Sequence, residues 1–204
     1  MKKFVVLCLV LCVMVFSCAS GGGKGEAIGP GVPAVGDPEH AGDYPVVDGW
    51  TYQLDEGDGG SSTCTMTVIE IDGLQAFNFV GYTTTAAQWP YVNFEFYPDA
   101  ATVDNFRSAK AISFMVKGDG REYFFNYQIS SVTDWAWHRF AFRAPAEATR
   151  ITIRMDQFMQ PSWGTWRRMD QTRFMSAGWC TSSWAYDSPQ ANYEITLWDL
   201  QIHL

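Results

Sequence analysis

The sequence predicts an all-β domain, a sandwich of short strands in the jelly-roll manner, and three observations carry that reading. Apolar and polar residues alternate at period two in eight to ten short stretches. Clusters of Gly, Asp, Ser and Pro separate those stretches and favour turns. Helical periodicity is nearly absent, while aromatics make up 16% of the chain against 18% charged residues, a composition that folds around a core.

Taken in order, Trp50 to Leu54 alternates as a first strand, and DEGDGGSS (55–62) forms a loop. CTMTVIEID (64–72) and Leu74 to Tyr82 follow as strands, the second with Phe77 and Phe79 on one face. In WPYVNFEFYP (89–98), Val92, Phe94 and Phe96 share one side and Tyr91, Asn93, Glu95 and Tyr97 the other. DNFRS (104–108) suits a short connection of one helical turn. Residues 111–129 predict a hairpin: Ile112, Phe114 and Val116 share one parity, Tyr123, Phe125 and Tyr127 another, and KGDGR between them has turn chemistry. HRFAF (138–142) and RITIRM (150–155) are further strands, a long aromatic loop runs from 157 to about 172, and FMSAGW (174–179) and YEITLWDLQIHL (193–204) complete the domain.

The amino terminus carries an export pattern. Lys2 and Lys3 precede an apolar run from Phe4 to Phe16, then Ser17 and Cys18. Those thirteen residues reach about 20 Å as a helix, short of a bilayer core of roughly 30 Å. Residues 1–17 resemble a bacterial lipoprotein signal, which makes Cys18 the lipidated residue. Val15 stands where that pattern usually has Leu, and a plainly cleaved secretory signal is the alternative. Residues 18–45, rich in Gly and Pro, read as a flexible tether, and the folded domain as 46–204. The expected location is outside the cytoplasm, with the membrane reached only through the lipid.

Loss of residues 1–17 removes two lysines and no acid, taking the net charge from −8 to −10. Such an acidic domain is unsuited to nucleic acid. Of the five cysteines, Cys64 and Cys180 lie in the folded part, where export permits a bridge and burial permits a free pair.

GDGGSST (57–63), AISFMVKGDGREYFFNYQ (111–128), FAFRAPAEATRITIRMDQFMQPSWG (140–164) and the ending YEITLWDLQI together resemble the domain named for complex I intermediate-associated protein 30. They also resemble the related family 11 carbohydrate-binding modules. The resemblance covers residues 46–204 and implies a galactose-binding-like jelly roll. It departs over 161–192, a Trp-rich segment.

Strand parity supplies the site expectation. The polar side of 89–98 offers Tyr91, Asn93, Glu95 and Tyr97, and the same logic exposes Phe124, Asn126 and Gln128. Arg139, Arg150, Thr152, Arg154, Glu194, Thr196 and Trp198 are expected on that face too. Amides and charged groups satisfy sugar hydroxyls while rings cover C–H faces, so a glycan is the expected ligand and a solvated sheet face the plain alternative. Loop tryptophans Trp163, Trp166 and Trp184 compete as a stacking platform or a protein contact, with at least two of them expected exposed. An envelope protein is therefore the alternative partner. Asp55, Glu56 and Asp58 in the glycine-rich bend suggest a structural Ca2+ loop. The resemblance implies Asp199 as a further ligand there. No zinc spacing, phosphate loop or nucleophile elbow is present, and His138 has no motif partner, so no enzymatic activity is expected.

Overall fold

The computed structural model describes residues 49–88, 90–181 and 191–204, which lie in one compact unit. The export segment with Cys18, the tether, Trp89, Trp184 and Tyr186 fall outside the described residues. Strands are numbered in chain order, and ten of them form two antiparallel sheets of five. The front sheet is ordered β1 (Trp50–Leu54), β4 (Val92–Phe96), β9 (Phe174–Thr181), β6 (Glu122–Ile129), β7 (His138–Arg143). The back sheet is ordered β2 (Thr63–Ile71), β3 (Leu74–Thr83), β10 (Ala191–His203), β5 (Ala111–Gly118), β8 (Thr149–Arg154). This is the expected β-sandwich, with strand positions close to those the alternation predicts.

Alternation explains the core. Phe94, Phe125 and Trp179 of the front sheet and Phe79, Phe114 and Leu197 of the back sheet are all fully buried. Trp179 is the hub: it stacks on Trp50 at 4.9 Å and meets Phe125 at 4.9 Å and Phe114 at 5.1 Å edge-on, joining front strands to back. Offset and edge-on pairs of this kind each add about 0.5–1.5 kcal/mol beyond area burial.

Residues 111–129 are not a hairpin. β5 pairs with β10 and β8, whereas β6 pairs with β9 and β7, so KGDGR carries the chain from the back sheet to the front. The segment after β7 supplies the partners of that crossing. Gly118 N donates to Pro145 O and Gly120 N to Ala144 O, each at 2.7 Å, and Ala144 N donates to Arg121 O at 2.9 Å. Asp119 accepts from Tyr123 Oη at 3.1 Å and from Glu194 N of β10 at 3.0 Å. A Cβ on Gly118 would lie 2.6 Å from Ala144 Cβ and 2.9 Å from Glu194 O, so the crossing needs glycine there. Period two fixes which residues face the core, but facing sheets satisfy the same alternation as paired strands.

The connection before β5 is also longer than expected. A helix α1 runs Ala100–Ser108, capped by Asp99, whose carboxylate accepts from Thr102 N at 2.7 Å. Only Val103 and Phe106 are buried along it, too few to show a helical period in the sequence. Phe106 stacks on Phe174 at 4.3 Å, and Tyr127 Oη donates to Phe106 O at 2.8 Å, which plugs this end of the sandwich.

Candidate functional site

With Phe94, Phe125 and Trp179 turned inward, the residues between them face outward from the front sheet. Cross-strand register then sets two rows over five strands. One is Thr51, Glu95, Gly178, Asn126 and Arg139; the next is Gln53, Asn93, Cys180, Phe124 and Ala141. Gln128 sits opposite Ser176 beside the first row. Five of the expected ligand residues, Tyr91, Asn93, Glu95, Asn126 and Gln128, thus belong to the front sheet or its immediate approach.

Their environments differ. Asn93, Asn126, Gln128 and Gln53 are half-buried, and their side-chain amides have no hydrogen-bond partner among the described residues. Glu95 is buried, at 6% exposure, and Tyr97 Oη donates to its Oε2. Phe124, expected in the open, is also buried, because the Arg139 guanidinium lies 4.2 Å from its ring centroid. Gly178 leaves the centre of the face without a side chain. A Cβ there would stand 2.7 Å from Phe94 O and 3.2 Å from Glu95 Cα. Gly178 and Gln53 escaped the sequence reading, although a glycine inside a strand pattern signals close approach.

The expected common face divides between two sheets. Arg150, Thr152 and Arg154 lie on β8, and Glu194, Thr196 and Trp198 on β10, all in the back sheet. Arg154 therefore does not join Asn93 and Asn126; its guanidinium bonds both Asp156 oxygens at 3.0 and 3.1 Å. The back face pairs its own polar groups. Arg150 forms an ion pair with Asp199 and donates to Ser113 Oγ at 3.1 Å. Ser113 Oγ also meets His203 Nε2 at 2.8 Å, and Gln201 Nε2 donates to Asp199 Oδ1 at 2.9 Å. That Gln201 bond, with Arg150, holds the Asp199 carboxyl below the usual carboxylate range.

The expected calcium ligands do not converge. Asp55 is buried and accepts from Ser62 N at 3.0 Å and Ser62 Oγ at 2.8 Å. Asp58 is exposed on its turn, and Asp199 is engaged by Arg150 on the back sheet. Among the described residues no three His, Cys, Asp or Glu side chains gather as a metal group. The Asp55 carboxylate serves geometry instead, filling the space where a Cβ on Gly60 would lie, 2.1 Å from Asp55 Cγ.

Cys64 and Cys180 are free and lie on different sheets. Burial pushes the Cys64 thiol up to about 11 and the Cys180 thiol up to about 12, so both stay protonated at neutral pH. His138 is buried, and its Nε2 is 3.0 Å from Arg167 O. Burial lowers its pKa below the usual 6.5, against an opposing upward pull from Arg167 O. Of the loop tryptophans, Trp163 and Trp166 are exposed, as expected, and so is Trp135.

The family model for complex I intermediate-associated protein 30 matches residues 40–178. No curated protein matches this sequence. Among solved structures, the family 11 carbohydrate-binding module of the cellulosomal cellulase Lic26A-Cel5E of Clostridium thermocellum is similar. Its TM-score is 0.55 at 16% identity, over 85% of this chain and 94% of that one. A second structure, the family 11 module from Clostridium thermocellum in complex with a beta-1,3-1,4-mixed-linked tetrasaccharide, has a TM-score of 0.54 at 15% identity, over 79% of this chain and 92% of that one. At these identities the likeness is one of fold.

Proposed function

We propose that this chain, which belongs to the complex I intermediate-associated protein 30 family, is a non-catalytic protein that binds a glycan on the outer face of its front sheet. The observation that carries the reading is the group of half-buried amides at Asn93, Asn126 and Gln128, without partners among the described residues, around the side-chain-free floor at Gly178. An amide offers one acceptor and two donors, which suits the paired donor and acceptor of sugar hydroxyls. Glu95 adds an acceptor already oriented by Tyr97, and the half-buried Tyr97 ring gives apolar surface for C–H faces. A fold shared with a module solved in complex with a tetrasaccharide supports the same reading. Lipidated at Cys18 and spaced by residues 18–45, such a domain would hold its glycan at the cell envelope.

A glycan array probed with the full chain tests this. Binding is expected, and Asn126→Ala and Gln128→Ala should each weaken it by about tenfold, the equivalent of one or two lost hydrogen bonds. Absence of any glycan ligand, or affinity unchanged in both variants, would overturn the proposal.

A further inference from the structure

Beyond β7 the front sheet has one more pairing. Arg139 and Met159 exchange two backbone hydrogen bonds of 3.0 Å each in an isolated antiparallel bridge. Residues paired this way point to the same side, so the row ending at Arg139 continues onto the loop at Met159. The loop is firmly stitched. Gln160 Oε1 accepts from Arg167 N at 2.6 Å, and its Nε2 donates to Thr165 O at 2.9 Å. Asp134 Oδ2 accepts from Thr165 N at 2.6 Å, and a Cβ on Gly164 would fall 2.1 Å from Ala136 Cβ. Yet this rigid pair of loops exposes its largest apolar side chains: Trp135 73%, Met159 73%, Trp163 56% and Trp166 74%. Trp135 also holds a φ of 64°, a left-handed conformation unusual for a bulky residue. Strain and exposed aromatics held on a fixed scaffold are features of binding sites.

Charge specifies what would bind. Arg167 commits Nε to Ser131 O at 3.2 Å and Nη1 to Trp166 O at 3.1 Å, which leaves Nη2. Arg168 is exposed and has neither hydrogen bond nor ion pair among the described residues. The neighbouring carboxylates are taken up, Asp134 by Thr165 N and Ala136 N, and Asp170 by Arg173 and Thr172. An acidic chain, net −8, thus places exposed tryptophans and arginines close together in sequence on a loop bridged to the front sheet at Met159. We propose that this platform binds an acidic sugar, carboxylated or sulfated, with its C–H face on Trp163 or Trp166 and its anion on Arg168 and Arg167. Guanidinium forks match carboxylate and sulfate oxygens, and the surrounding negative charge would repel polyanions that cannot also stack. The inference rests on the glycan reading of the front sheet and assigns the charge class of one end of the ligand.

Matched oligosaccharides test it: oligogalacturonate against its methyl ester, and a sulfated galactan against the same galactan desulfated, each titrated into the full chain. At least one acidic member should bind about tenfold more tightly than its neutral partner, and the margin should fall with rising salt and in Arg168→Gln. Trp166→Ala should weaken the acidic ligand, while the Asn126→Ala variant should weaken acidic and neutral ligands alike. Neutral members binding as tightly as acidic ones would overturn this inference and leave the front-sheet reading standing. So would acidic binding that survives in both Arg168→Gln and Trp166→Ala, or equal binding of polyaspartate. Failure of all four probes, where the glycan array also finds no ligand, would overturn both.

Discussion

The outer faces of the two sheets are built from similar residues and treat them in opposite ways. On the back face, Arg150, Asp199, Ser113, His203 and Gln201 satisfy one another in a closed set of bonds. On the front face, the amides of Asn93, Asn126 and Gln128 are recessed and bond to no other side chain among the described residues. A half-buried polar group without a partner forgoes part of its hydration, a cost that a ligand hydroxyl can relieve. A paired network gives a ligand little to gain. Composition alone thus does not distinguish the two faces, and their internal bonding does.

The largest effect should come from removing what supports both faces. Trp179→Ala takes away the ring that joins front and back sheets and should cost about 3–5 kcal/mol, read by chemical denaturation. A loss under about 1 kcal/mol would mean the sheets hold their spacing without it.

Acidification should act next, at the loop edge of the front face. His138 is buried with its pKa below 6.5, so the unfolded chain takes up protons that the folded chain does not as pH falls through that value. Stability should therefore be complete above pH 6.5 and decline below it, and His138→Gln should flatten that slope in melting scans. An unchanged slope in the variant would assign the decline to other groups.

The smallest effect belongs to the back face. Asp199→Ala breaks a partly exposed ion pair and should cost about 1 kcal/mol or less, leaving glycan affinity unchanged. Altered affinity there would erase the distinction between the faces.

Much of the fold was legible because alternation reports burial directly. Phe94, Phe114 and Phe125 are core residues by parity alone, and all are fully buried. Partnership between strands was not legible. KGDGR carries hairpin chemistry, yet its donors are taken by Ala144 and Pro145, and its carboxylate reaches β10. Half of the site could be read for the same reason. Asn93, Glu95, Asn126 and Gln128 follow from parity, whereas Arg154 was placed among them because parity does not say to which sheet a strand belongs. Arg139 over Phe124 and the Met159 bridge arise from contacts across the chain that no local spacing encodes.

On the proposed function the front face binds a glycan and the back face does not. Calorimetric titration of one array-identified glycan into the Asn93→Ala/Asn126→Ala double variant and into Asp199→Ala tests it most directly. A loss of about a hundredfold is expected in the first, from two amides each worth about tenfold, with wild-type affinity in the second. Wild-type affinity in the double variant, or equal losses in both proteins, would contradict it.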